Sequence, residues 1–245
     1  MKRELYDQLY VQEKTHWWFV SRRAILSKVL SSRLFINRKK APLILEIGCG
    51  TGGNLELLSK FGTLSAIEFD KEALQLSKEK NVCNVVEGSL PHHIPLDKTY
   101  NVIAMFDVLE HIEEDLASLL AIKKILHKNG RLLLTVPAFM FLWSDHDDLH
   151  HHKRRYTKKS LTNVLKQAGY NIEYLTYFNT FLFPVVSLVR LVSRLLKRRS
   201  GSDISNSTPS FLNDFLTVLF SAERHFFPRF SFPFGVSLLV VVKNI

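Results

Sequence analysis

A doubly wound α/β domain is the fold class this sequence predicts, on three observations. Short apolar runs of strand length, at residues 43–45, 64–69, 82–87, 100–106 and 131–136, alternate with stretches of helical periodicity. A glycine-rich turn separates the first run from the helix-like stretch at 55–58. Two further strand patterns follow at 172–178 and 235–242, the last containing the buried-strand run Val236-Ser-Leu-Leu-Val-Val-Val. At 245 residues, 46% of them hydrophobic, the chain suits one such domain (1–245) with additions and carries enough apolar side chain for a large core.

The turn after the first strand reads Glu46-Ile-Gly48-Cys49-Gly50-Thr-Gly52-Gly53. Glycines admit positive φ and let a ligand approach without Cβ interference, while the helix that follows presents unpaired N–H groups and its positive dipole end. A nucleotide-like cofactor is expected there. Gly48, Gly50 and Gly53 also fit the dinucleotide pattern G-x-G-x-x-G, with Glu68 about twenty residues on, so the glycines alone leave NAD open. Glu46 separates the possibilities. A carboxylate at the strand end repels a pyrophosphate and suits a cation, and S-adenosylmethionine offers an α-ammonium group and a sulfonium. Cys49 reads as a small turn residue, with no catalytic partner spaced around it.

Glu46-x-Gly48-x-Gly50-x-Gly52 resembles motif I of the class I S-adenosylmethionine-dependent methyltransferases, and later landmarks follow in that family's order over residues 40–178. The resemblance implies a seven-stranded, mostly parallel sheet whose last strand enters antiparallel beside the fifth. By the same resemblance Glu46, Gly48, Cys49, Gly50 and Gly52 hold the methionine portion, and Glu68, beside Phe69, accepts hydrogen bonds from the ribose hydroxyls. Ser89 and Leu90 flank adenine, although Asp is common in the family where Ser89 stands, and Asp107 and Val108 close the cleft. Asp107-Val-Leu-Glu110-His111 is similar to the V-L-E-H segment of the ubiquinone-biosynthesis O-methyltransferase branch. Read without the family, Glu110 can be a first-turn helix residue facing the dipole and His111 a surface residue. The helix after this segment is expected to end at Lys128-Asn-Gly130.

Residues 1–38 are expected to form a helical cap. Leu5 and Leu9, like Tyr6 and Tyr10, recur four apart, and 24–34 has helical character. Between them lies His16-Trp17-Trp18-Phe19, followed by Arg22 and Arg23. Trp17 or Trp18 can shield the site or approach a sulfonium by cation–π contact; the structural alternative is a hydrophobic staple against the domain.

Residues 179–234 are a hydrophobic helical insertion between the last two strands. Ser187, Arg190, Arg194 and Arg198 form a narrow polar stripe on the apolar segment 181–196, which is too short and too charged to span a bilayer. After a Ser- and Asn-rich linker at 200–209, the second stretch aligns Asn213, Thr217, Ser221 and Arg224 on one side. Such a pair can lie in a membrane interface, the cationic stripe toward anionic headgroups, or pack on itself, the core or another subunit.

The loop after strand five, residues 137–156, leaves the carboxyl end of the sheet, where open α/β folds bind ligands. Its Trp143-Ser-Asp-His146-Asp run and later His-x-Arg-Arg-Tyr-Thr run resemble a bacterial methyltransferase subgroup. His146 or His150 is a candidate to take a proton from an acceptor hydroxyl. Arg154 and Arg155 can bind an anionic group of the acceptor, and Tyr156 completes the catalytic candidates. Alternatively the loop is a polar lid paired within itself. Asp145, His146 and Asp148 match no structural zinc spacing, so no metal is assigned.

Two cysteines set no disulfide framework, and the N-terminal residues lack an apolar signal core, which together lead to a cytoplasmic expectation, with peripheral attachment to the inner membrane face. The net charge of +10 is concentrated: residues 151–199 hold eleven Lys or Arg against one acid, Glu173. No RNA-binding signature accompanies it, so nucleic acid is not an expected partner. The expected activity is methyl transfer from S-adenosylmethionine to oxygen on a small or lipid-linked acceptor. An NAD(P)-dependent oxidoreductase and a non-catalytic membrane-surface scaffold stand as alternatives.

Overall fold

The computed structural model describes residues 3–32, 41–196 and 208–245. Strands β1 (Leu43–Ile47), β2 (Thr63–Glu68), β3 (Asn84–Glu87), β4 (Tyr100–Phe106), β5 (Leu126–Pro137), β6 (Tyr170–Phe178) and β7 (Ser237–Asn244) form one sheet, ordered β3-β2-β1-β4-β5-β7-β6. The first five pair in parallel, and β7 runs antiparallel to both neighbours, β5 and β6. Central strands are covered on both faces, which is why β4 and β7 read as nearly unbroken apolar runs in sequence. The strand order reverses between β1 and β4, opening a crevice beyond their carboxyl ends.

Helices α1 (Arg3–Gln12) and α2 (Trp17–Leu30) precede the sheet. Between strands run α3 (Leu55–Ser59), α4 (Lys71–Glu79), α5 (Asp115–Ile125), α6 (Asp145–Leu149) and α7 (Lys158–Gln167). Their starts are chemically marked: the Asp70 carboxylate accepts from the Glu72 and Ala73 amides to cap α4, and Thr157 caps α7. The helix expected to run to 128–130 stops earlier. α5 ends at Ile125, β5 already begins at Leu126, and a register shift between Tyr100 and Val102 absorbs the extra residues.

The insertion carries α8 (Phe183–Leu195) and α9 (Ser210–Ala222). α9 packs on α2. The Trp17 amide donates to Asn213 Oδ1 at 2.8 Å, Ser221 Oγ donates to Ser21 Oγ at 3.0 Å, and Ser21 Oγ donates to the Thr217 carbonyl. Phe220 fills the space between, with its ring stacked on Phe178. The polar line of α9 therefore faces inward, and Phe211, Phe215 and Val218 face out. α8 is turned the same way. Ser187 and Arg190 are half-buried, while Leu188, Leu191 and Leu195 are exposed. Of the cationic stripe expected to meet headgroups, Arg190 is half-buried beside the crevice, while Arg194 is exposed and donates to the Phe141 carbonyl at 3.2 Å. Arg198, residues 33–38 of the expected cap, and all of the linker except residues 208–209 lie outside the described residues. Among the described residues no helix is long and apolar enough to cross a membrane.

Candidate active site

The glycine turn leaves β1 at the crevice. Gly48 (φ +68°) and Gly50 (φ +56°) adopt left-handed backbone, for different reasons. A Cβ on Gly48 would strike Val108 Cγ2 at 2.6 Å, so this glycine lets the turn pack under the residue after Asp107. A Cβ on Gly50 would meet no protein atom within 4 Å and would project into open space. The first glycine serves packing; the second leaves room for a ligand.

Two carboxylates brace the turn. Glu46 is 1% exposed, and its Oε1 accepts from Asn54 Nδ2 at 3.0 Å while Oε2 has no hydrogen-bond partner. Burial pushes its carboxyl up to about 8, against the opposing Asn54 bond and Arg22 charge. Glu68 accepts from the Gly50 amide at 2.7 Å through Oε2, and from the Phe69 and Asp70 amides at 2.9 Å through Oε1. It ties the end of β2 to the turn. Burial also raises its carboxyl, against those three backbone bonds. Beyond it, Phe69 is exposed, Ser89 exchanges backbone hydrogen bonds with His93, and Leu90 rests half-buried on the core.

A cavity of about 610 Å³ opens beside the turn, within the range of small-molecule sites. Gly48, Cys49, Gly50 and Asn54 form its floor, and Asp107, Glu110 and His111 form the wall beyond β4. His146, His150, His152 and Arg155 reach it from the loop after β5, and α2 and α8 cover it with Trp17, Trp18, Val185 and Arg190. Glu46, Gly52, Val108, Glu68, Phe69, Ser89, Leu90 and Tyr156 are not on its surface.

Sequence reading missed several wall residues. Arg22 pairs with Asp107, whose other oxygen accepts from Thr135 Oγ1 at 3.0 Å. Glu13, from the bend between α1 and α2, accepts from Thr51 Oγ1 at 2.7 Å and pairs with Lys80. Arg22 had a signal, since it follows the paired tryptophans; Glu13 had none, because an acid beside a polar helix reads as solvated. Glu110 stands in the first turn of a short 3-10 helix, Leu109–His111, and is 0% exposed; His111, read as a surface residue, borders the cavity. The tryptophans act both ways. Trp18 stacks on Phe178 and packs at a tilt against Phe220, as a staple would, and Trp17 and Trp18 both line the cavity.

The loop after β5 is organised around Asp147, which is 0% exposed. Arg155 donates from Nε to Oδ1 at 2.7 Å and from Nη2 to Oδ2 at 2.9 Å, and its Nη1 donates to the Ala138 carbonyl. His152 Nδ1 lies 2.8 Å from Asp147 Oδ1. Burial alone would raise the Asp147 carboxyl, but the His152 and Arg155 hydrogen bonds outweigh it and hold the group well below the usual carboxylate range. The arginines expected to hold an anionic acceptor are committed elsewhere: Arg155 to Asp147, and Arg154 to Asp115 and the Glu113 carbonyl. Tyr156 is buried, and its hydroxyl donates to Asp115 at 3.0 Å, so its phenol props the loop base instead of reaching the cavity. His146 and His150 do reach it, with ring centroids 4.1 Å apart. Burial first, then the nearby His152, pushes His111 and His146 down to about 4, so both are neutral at physiological pH.

A glycine turn backed by a buried, half-satisfied carboxylate fits the cationic amino-acid end of S-adenosylmethionine and not a pyrophosphate. Dinucleotide folds also run their six strands in the order 3-2-1-4-5-6, without an antiparallel strand between the fifth and sixth. Fold and turn together define an S-adenosylmethionine-dependent methyltransferase. Residues 15–175 match a family model described as a methyltransferase domain, and the chain belongs to that family. It is 28% identical over 123 residues to the mitochondrial ubiquinone biosynthesis O-methyltransferase of Schizosaccharomyces pombe, covering 47% of this chain and 44% of that protein. The chain thus spans under half the length of the curated relatives it matches. Among solved structures, a Haloferax volcanii chain in complex with the Trm112 methyltransferase activator aligns with a TM-score of 0.62 at 15% identity, over 98% of this chain and 94% of that one. A TehB-like S-adenosylmethionine-dependent methyltransferase of Corynebacterium glutamicum aligns at 0.58 and 16%, over 99% and 97%. At these identities the structures speak to fold alone.

Proposed function

We propose that this protein methylates an oxygen of an amphipathic, lipid-linked acceptor drawn from the cytoplasmic face of a membrane. One observation carries the reading: α8 lines the cavity with Val185, Val189 and Arg190 while exposing Leu188, Leu191 and Leu195 outward. A headgroup in the cavity and an apolar tail along α8 would be continuous. Helices with polar faces turned in and apolar faces turned out fit the plane of a lipid interface. The name of the S. pombe relative, which specifies O-methylation in ubiquinone biosynthesis, supports an acceptor that pairs a hydroxyl with a lipid tail.

When bound, S-adenosylmethionine supplies an electrophilic methyl carbon on its sulfonium. The residues of this chain bind, align and dry the site. The Gly48–Gly50 turn with Glu46 would hold the amino-acid end, and Glu68, already accepting three backbone bonds, would meet the ribose with its one remaining lone pair. Ser89, Leu90 and Phe69 would flank adenine. Trp17, Trp18 and α8 would exclude water. His146 or His150 would accept the hydroxyl proton; because burial makes His146 a weak base, an acidic hydroxyl such as a phenol suits it better than an aliphatic alcohol.

The test is methyl-label profiling with S-adenosylmethionine against separated lipid and aqueous extracts, with vesicle flotation alongside. Label in a lipid-extractable product is expected. Label confined to water-soluble products would remove the lipid-linked acceptor, and flotation without S-adenosylhomocysteine binding would favour a non-catalytic scaffold.

A further inference from the structure

We propose that Glu110, His111 and His152 bind one divalent transition-metal ion of the zinc class in the cavity wall. These residues come from two separate loops, after β4 and after β5, yet their ligand atoms all lie within 4.8 Å of one another. A tetrahedral ion with bonds of about 2.0–2.1 Å has its ligand atoms roughly 3.4 Å apart, so rotamer adjustments suffice to close the set.

Glu110 is the first reason to expect a cation. Its carboxylate is completely buried, and neither oxygen has a hydrogen-bond partner on another residue. An unpaired buried carboxylate is expensive unless a cation or a proton meets it.

The second reason is how His152 is held. Its Nδ1 lies 2.8 Å from Asp147 Oδ1, so the ring is held with Nε2 turned away from that carboxylate. A carboxylate that fixes the tautomer of a histidine and is itself anchored, here by the Arg155 fork, is the outer-shell arrangement of metal-binding imidazoles. His111 packs edge-on against His152, ring centroids 4.6 Å apart. Two imidazoles and a carboxylate suit zinc, iron, nickel or copper over magnesium and calcium, and three protein ligands leave a position open to the cavity.

The ion's assignment does not depend on the acceptor proposed above; only its role does, as a Lewis acid beside an acceptor oxygen that the weakly basic histidines deprotonate poorly. The experiment therefore omits methyl donor and acceptor. Chelator-stripped full-length protein is titrated with Zn²⁺ by calorimetry and with Co²⁺ by visible absorption. One equivalent of Zn²⁺ is expected, with a Co²⁺ spectrum of nitrogen and oxygen ligation. Glu110→Gln and His152→Ala should each lower affinity at least tenfold, while His92→Ala, at an exposed histidine paired with Glu114, should bind as the unmodified protein does. If a variant fails to fold, the unmodified protein still decides. No stoichiometric Zn²⁺ site, or one that Glu110→Gln or His152→Ala leaves intact in folded protein, would overturn the proposal and leave the methyltransferase assignment standing.

Discussion

Arg155 grips Asp147 in a two-pronged ion pair, at 2.7 and 2.9 Å, on a carboxylate shut off from solvent. That pair anchors the loop bearing His146, His150 and His152. Removing one partner strands the other charge. Arg155→Ala should therefore destabilise the fold by about 3–5 kcal/mol, and Arg155→Lys should recover only part, since an ammonium cannot form the parallel bonds. Urea denaturation reads both; an alanine variant within about 1 kcal/mol of the parent would contradict the arrangement.

The two glycines should separate stability from binding. Gly50→Ala places a methyl in the cavity without touching protein, at a left-handed position that disfavours alanine by about 1 kcal/mol. S-adenosylhomocysteine affinity should fall at least tenfold while the variant stays folded. Gly48→Ala drives Cβ into Val108 and should cost about 1–3 kcal/mol of stability. Calorimetric binding and thermal melts distinguish them, and unchanged affinity in Gly50→Ala would move the cofactor away from this turn.

Glu46 gives the protein a pH signature. Its carboxyl keeps its proton up to about pH 8 when folded but releases it near 4.5 when unfolded, so the folded state binds the extra proton in that window. Stability of the cofactor-free protein should fall as pH rises from about 4.5 to 8 on this account. An α-ammonium group beside Glu46 favours the ionised form, so S-adenosylhomocysteine should bind more tightly as pH climbs from 6 towards 8. Glu46→Gln should flatten both slopes; binding that stays pH-dependent in that variant would assign the effect to another group.

Leu188→Lys with Leu191→Lys should abolish flotation with lipid vesicles. Both side chains are exposed, so the fold should change by no more than about 0.5 kcal/mol. Equal flotation of parent and variant would mean that α8 is not the membrane contact.

Much of the frame could be read before any coordinates, because strands buried on both faces and a glycine turn leave local marks. The segments 43–45, 100–106 and 172–178 all fall within strands, and the Glu46–Gly53 run lies at the switch point. Properties set by distant partners were illegible. The periodicity of α8 and α9 defines two faces on each helix but not which one meets the domain; Asn213 and Ser221 turn inward because Trp17 and Ser21 on α2 await them. Arg155 fitted both an anion site and a lid paired within itself, and sequence alone could not choose, because nothing near it reveals that Asp147 is buried against it. Lys128-Asn-Gly130 looked like a helix end although the chain had already turned extended at Leu126.

Phe178 and Ser237, the residues flanking the insertion, are register partners across β6 and β7. The excursion thus departs and returns at one rung of the ladder, and its length and content can vary without disturbing strand pairing.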